Sequence, residues 1–186
     1  MRKIVLYTLM SLDGDVDHPG RYFSSSPEPG PPEFDTAMLD NEAKVIDTQD
    51  TVLLGRHMYD EWSGYWPTSD EQPFADFING VKKYVVTSTP LSSSWHNAEA
   101  VSGPIEDLVR DLTARPGGDI GVHGSIQLAQ SLLEAGFVDE LQLVVGPRVG
   151  FAGRRLFAGT DDVRQLELLS ATSTPSGSLL LAYRVP

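Results

Sequence analysis

Two short stretches of this 186-residue chain join an apolar run to a glycine and then to a helical pattern: Leu54-Gly55-Arg56-His57 and His123-Gly124-Ser125-Ile126. A helix N-terminus presents unpaired N–H groups and the positive end of the helix dipole, and a glycine lets an anion approach the backbone closely. Two such junctions suit the two phosphates of a diphosphate cofactor, although each alone is also ordinary turn chemistry. Arg56 adds a permanently charged, forked guanidinium that suits an anionic phosphate.

Other candidates fail on spacing. Asp13-x-Asp15-x-Asp17 copies the opening of a calcium loop, but His18 stands where glycine is needed and Ser24 where the closing glutamate is needed. The four histidines, at 18, 57, 96 and 123, show no HExxH or paired spacing, and there is no cysteine, so no metal is expected. No Gly-x-Ser-x-Gly elbow and no Gly-x-Gly-x-x-Gly fingerprint occurs, which argues against a serine hydrolase and against the Rossmann mode of cofactor binding. Trp62, Tyr65 and Trp66 fit a pocket cap and plain aromatic packing equally well.

These residues need a scaffold, and the hydrophobic pattern supplies one. Residues 4–9, 51–54, 84–87 and 120–123 are short apolar runs that read as buried strands; 33–47, 56–62, 74–79, 105–114 and 124–136 carry helical spacing. Gly64 and Pro67 are expected to end the second helix, and 67–73 to be a loop. Residues 19–32, rich in Pro, Gly and Ser, read as a long surface loop beside the end of the first strand, and 146–159 as a second loop. The end of the chain is strand-rich at 140–145, 165–173 and 178–185, with a turn near Pro175-Ser176-Gly177. Alternating strands and helices predict a mainly parallel sheet, and the closing hairpin predicts an antiparallel strand. No repeat or linker divides the chain, so one domain over 1–186 is expected.

The segment from Val52 to Trp62, VLLGRHMYDEW, followed by Tyr84-Val85-Val86-Thr87-Ser88, resembles the Gly-Arg-x-Thr-Tyr/Trp-Glu segment and next strand of dihydrofolate reductase relatives. Residues 120–133 resemble the strand, glycine-rich turn and helix that receive the cofactor pyrophosphate in that family. Val138-Asp139-Glu140-Leu141 with Pro147, Gly150, Gly153 and Leu156-Phe157 resembles the end of the reductase domain of riboflavin-pathway deaminase-reductases. Two departures stand out: Met58 where threonine is common, and Gly124-Ser125 where two glycines are usual.

The resemblance implies a dihydrofolate-reductase-like α/β fold in three layers, with a mixed, mostly parallel sheet between helices and an antiparallel C-terminal strand. It implies NADPH as cofactor, with Gly55, Arg56, His57 and Met58 on the phosphate side, Thr87 and Ser88 beside the adenosine 2'-phosphate, and Gly124, Ser125 and Ile126 at the pyrophosphate. On the substrate side it implies Leu9 and the loop of Ser11, Leu12, Asp13 and Gly14. Asp35 is then the candidate acid, though it reads equally as a first-turn carboxylate favoured by the helix dipole. Relatives form homodimers, and a homodimer is expected.

Composition narrows the partners. Fourteen Lys+Arg against 26 Asp+Glu give a formal charge of -12, which disfavours nucleic acid, and no apolar run is long enough to cross a bilayer. The absence of cysteine fits a reducing compartment, the cytoplasm. The expectation is hydride transfer from NADPH to a small heterocyclic or sugar-like substrate, without the His/Cys ligands of a zinc deaminase. Dihydrofolate reductase proper and a non-catalytic nucleotide-binding or interaction module are the alternatives.

Overall fold

Strand β1 (Ile4–Met10) is apolar almost throughout, as a strand covered on both faces must be. In the computed structural model, which describes residues 1–26, 30–158 and 163–186, it lies inside an eight-stranded sheet. The other strands are β2 (Gln49–Gly55), β3 (Lys82–Val86), β4 (Ala98–Val101), β5 (Asp119–His123), β6 (Glu140–Val145), β7 (Glu167–Ser173) and β8 (Leu179–Arg184). Their order is β4-β3-β2-β5-β1-β6-β8-β7. The first six are mutually parallel; β8 runs antiparallel to β6 and to β7.

Side-chain alternation assigns each face its cover. Ile4, Leu6, Leu53, Ile120 and Val122 pack with Val109 and Leu112 of α5 (Ile105–Ala114) and with Leu128, Ala129 and Leu132 of α6 (Ile126–Glu134). On the opposite face Val5 and Tyr7 meet Met38 and Val45 of α2 (Thr36–Asp47), while Val52, Leu54 and Val85 meet Tyr59 of α3 (Arg56–Tyr65) and Phe74 and Ile78 of α4 (Phe74–Gly80). The result is the expected three-layer arrangement.

Several boundaries differ from the sequence reading. The turn α1 (Gly20–Phe23) lies in the predicted long loop, because Tyr22 and Phe23 are buried anchors. Gly64 does not end α3, which runs to Tyr65 and continues as a 3-10 turn over Trp66–Thr68. Strand β4 was not predicted: Ala98-Glu99-Ala100-Val101 has neither alternation nor a β-branched run, and its place is decided by pairing with β3. Pro27, Glu28 and Pro29 of the first predicted loop and Gly159 of the second lie outside the described residues.

Because the six central strands are parallel, their carboxyl ends share one edge, where open α/β sheets bind ligands. Among the described residues no helix is long and apolar enough to cross a membrane.

Candidate active site

The two strand-glycine-helix junctions end up side by side, because β2 and β5 are neighbours with Leu53 opposite Val122. Gly55 N donates to Ser125 Oγ at 2.9 Å, so the serine that replaces a second glycine ties the two turns together. Neither α3 nor α6 has a side-chain cap at its N-terminus. Two uncapped helix starts therefore face the same sheet edge. Gly124 adopts φ +63°, and a Cβ there would come within 2.9 Å of Trp62 and 3.0 Å of Met58. Glycine is thus required both by the backbone conformation and by the packing of these two side chains.

Arg56 crosses from the start of α3 to the loop after β3. Its Nε donates to both Asp60 oxygens at 2.9 and 2.8 Å, and its Nη1 to Thr89 Oγ1 and to Pro90 O, each at 2.8 Å. Thr87 joins this group through Thr89, whose backbone N–H donates to Thr87 Oγ1 at 3.2 Å, and Ser88 is exposed beside it. Residues 55, 56, 58, 87, 88 and 124–126 gather at one edge as expected. The His57 side chain is exposed to solvent, 3.5 Å from Glu61. Sequence reasoning missed Asp60 and Thr89; the four-residue spacing of Arg56 and Asp60 on one helix was the available signal for the first.

The loop after β1 is a clamp. Asp13 accepts from Ser11 Oγ at 2.6 Å, from the backbone N–H groups of Gly150 and Phe151 at 2.8 and 3.0 Å, and pairs with Arg155 at 2.9 Å. The Ser11 hydroxyl, with these partners, holds the Asp13 carboxyl below the usual carboxylate range. Fully buried Asp15 accepts from Tyr22 Oη and Asp17 N, and Asp17 pairs with Arg154 at 2.6 Å. A Cβ on Gly153 would lie 2.3 Å from the Asp15 carboxylate, so the second loop must carry glycine there. Asp13 and Asp17 fasten 11–17 to 148–155, and Asp15 ties the same loop to Tyr22. Asp13, expected at the substrate, is a fastener in this geometry.

Asp35 also has another task. It is the N-cap of α2: Oδ1 accepts from Met38 N and Oδ2 from Ser176 N, each at 3.0 Å. Burial acts to raise its pKa, but hydrogen bonds from Thr174, Met38 and Ser176 outweigh that and bring it to about 2. Both oxygens are committed in this geometry, in keeping with the reading of Asp35 as a carboxylate at the helix start. Leu9 packs against the Val5, Tyr7 and Met38 cluster.

A third group was not foreseen. Between α2 and α4, Tyr7 of β1 and His123 of β5 sit opposite each other, ring centroids 5.7 Å apart. His123 Nε2 lies 2.8 Å from Gln49 Oε1, and burial pushes the imidazole down to about 3. Gly121 makes room for this pair, since a Cβ there would stand 2.0 Å from Gln49 Oε1 and 2.7 Å from His123 Nε2. Glu42 of α2, 7% exposed, has neither a hydrogen bond nor an ion pair among the described residues; burial first, and the Glu71 charge second, push its carboxyl up to about 7. Tyr7 Oη, Gln49 Nε2, Trp66 Nε1 and His123 Nδ1 are fully buried with no hydrogen-bond partner among the described residues. The available signal was a glutamate on the apolar stripe of Leu39 and Ile46.

Comparison with known proteins agrees with this architecture. The uncharacterized protein YyaP of Bacillus subtilis (strain 168) is 26% identical over 189 residues, covering 98% of this chain and 94% of its own. Among solved structures, a protein from Shewanella sp. PV-4 whose name assigns it provisionally to riboflavin biosynthesis superposes with a TM-score of 0.75 at 18% identity, covering 99% of both chains. A pyrimidine reductase-like protein from Corynebacterium diphtheriae gives 0.68 at 16% identity, covering 100% of this chain and 92% of its own. The diaminohydroxyphosphoribosylaminopyrimidine deaminase/5-amino-6-(5-phosphoribosylamino)uracil reductase of Thermotoga maritima also gives 0.68, at 14% identity, with all of this chain covering 57% of that one. Residues 2–180 match the RibD C-terminal domain, and with the junctions and sheet order described above this chain belongs to the RibD C-terminal domain family.

Proposed function

We propose that the protein is an NADPH-dependent reductase acting on a small pyrimidine-linked or sugar-like substrate. The observation that carries this reading is the pair of uncapped helix starts, α3 and α6, joined by the Gly55 to Ser125 hydrogen bond at the carboxyl edge of the sheet. Their free N–H groups suit a pyrophosphate, and Gly124 lets it approach. Arg56, with Thr87, Ser88 and Thr89, suits the 2'-phosphate that separates NADPH from NADH. Bound there, the cofactor would supply hydride; the protein's part is to hold it, orient the substrate and exclude water.

Titration with NADPH and NADH, followed by nicotinamide fluorescence, tests this. NADPH is expected to bind more tightly, and Arg56→Ala to weaken it by roughly tenfold or more while leaving NADH nearly unchanged. Equal binding of both nucleotides by wild type and variant would remove the phosphate role of Arg56. The substrate to try first is the 5-amino-6-(5-phosphoribosylamino)uracil named for the Thermotoga relative.

A second reading, a nucleotide-binding module without turnover, is favoured by Met58 and Trp62, which pack over Gly124. It predicts NADPH binding with no oxidation. Dihydrofolate reduction is supported less, because Asp35 is spent as a helix cap. We also propose a homodimer through β7, an edge strand exposed along its whole length and carrying Leu168 and Leu169; sedimentation should give twice the chain mass.

A further inference from the structure

Among the described residues, the buried polar group between α2 and α4 holds three of the four fully buried side-chain atoms without a hydrogen-bond partner. Unpartnered buried polar atoms cost free energy, and native proteins keep few of them. Here Tyr7 Oη, Gln49 Nε2 and His123 Nδ1 come together on one face of β1, β2 and β5, and Glu42 of α2 lies near enough to Tyr7 for its charge to act on the phenol. Gln49 Oε1 accepts from His123 Nε2, which places the imidazole proton on Nε2 and leaves Nδ1 a bare acceptor. Phe74 and Phe77 wall the group, with ring centroids 5.3 and 5.9 Å from His123. Trp62, 5.6 Å from Phe74, connects this wall to Gly124, and His123 directly precedes that glycine in the chain. The group therefore adjoins the proposed cofactor edge on the face between α2 and α4.

We propose that Glu42 is the acid that protonates the substrate's heteroatom during reduction, and that Tyr7, Gln49 and His123 form the polar wall against which the substrate lies. This rests on the reductase reading. Reducing a C=N or C=O bond places hydride on carbon and a proton on nitrogen or oxygen. A bound reduced nicotinamide would supply the hydride to carbon, with the π pair passing to the heteroatom. That atom takes the proton from the Glu42 carboxyl, leaving a carboxylate that regains a proton from water. A buried, unpaired carboxyl holds its proton near neutral pH, as a general acid must. The titratable groups acting on it are Tyr7 from β1 and Glu71 from the segment before α4; His123 stands beyond Tyr7.

The test combines two measurements. Carbon-13 titration of the Glu42 carboxyl in the ligand-free protein, assigned by its loss in Glu42→Gln, is expected to show a midpoint near neutrality. NADPH oxidation with 5-amino-6-(5-phosphoribosylamino)uracil is expected to lose roughly 10²-fold or more in kcat in Glu42→Gln, with NADPH affinity unchanged. Glu42→Asp, still an acid, keeps part of the rate, and the fall of kcat at alkaline pH disappears in Glu42→Gln. A carboxyl that titrates in the ordinary glutamate range, or a Glu42→Gln kcat within about threefold of wild type, overturns the proposal, since general acid catalysis should contribute more. The reductase reading fails separately: a wild-type protein that binds no NADPH shows it in the binding arm, before Glu42 is altered. One that binds NADPH but leaves the uracil unreduced removes that substrate and the proton step with it.

Discussion

The loop clamp and the interior group both gather carboxylates and hydroxyls, the first at a partly exposed surface and the second in the interior, and they treat them in opposite ways. In the clamp Asp13, Asp15 and Asp17 are matched by backbone N–H groups, Tyr22 Oη, Arg154 and Arg155. In the interior group Glu42 has no partner, and Tyr7, Gln49 and His123 each keep an unused polar atom. Matched polar groups fasten loops; unmatched ones in a well-formed sheet are departures of the kind that functional sites retain.

Stability separates the two regions most strongly. Asp15→Ala should strand Tyr22 Oη and Asp17 N–H, costing about 3 kcal/mol and lowering the melting temperature by roughly 6–12 °C. Glu42→Gln should leave the fold intact at pH 6. If calorimetry found Asp15→Ala as stable as wild type, the clamp would not be the fastener that its bonds imply.

The next effect is pH dependence. Glu42 rises from its ordinary 4.5 to about 7, so its contribution is fully present below pH 4.5 and is lost as pH rises through 7. The change is on the order of 3 kcal/mol at most. Glu42→Gln, with nothing to ionise, should therefore melt at a higher temperature than wild type at pH 8. His123 works in the other direction: depressed from 6.5 to about 3, it favours the fold above pH 6.5 and withdraws that contribution as pH falls through 3. The two slopes oppose each other between pH 4.5 and 6.5, where wild type should be nearly flat while Glu42→Gln loses stability steadily toward acid. Parallel melting curves for the two proteins over that window would show that Glu42 contributes no such slope.

The smallest effect expected lies at the cofactor edge. Asp60 competes with any phosphate for Arg56, so Asp60→Asn should tighten NADPH about threefold, in keeping with the modest strength of exposed ion pairs, and leave NADH unchanged. Fluorescence titration resolves a change of that size, and weaker NADPH binding would mean that Asp60 positions Arg56 rather than competing for it.

The sequence by itself determined the alternating strands and helices, the closing hairpin and both glycine junctions, because apolar periodicity and turn chemistry are properties of neighbouring residues. It could also show Arg56 beside a helix start, since both belong to one short segment. Only the tertiary structure decided which carboxylate is spent and which is free. Asp13 meets Ser11 and Asp35 meets Met38 N locally, but the bonds that complete each commitment come from 137 and 138 residues away for Asp13 and from 141 residues away for Asp35, which no local pattern shows. Glu42 looked like one more helix glutamate until the crossover order set β5 beside β1 and packed α4 near α2, leaving the residue largely buried. Whether a polar atom is satisfied depends on what the fold brings to it from elsewhere in the chain, and that decides where chemistry is available.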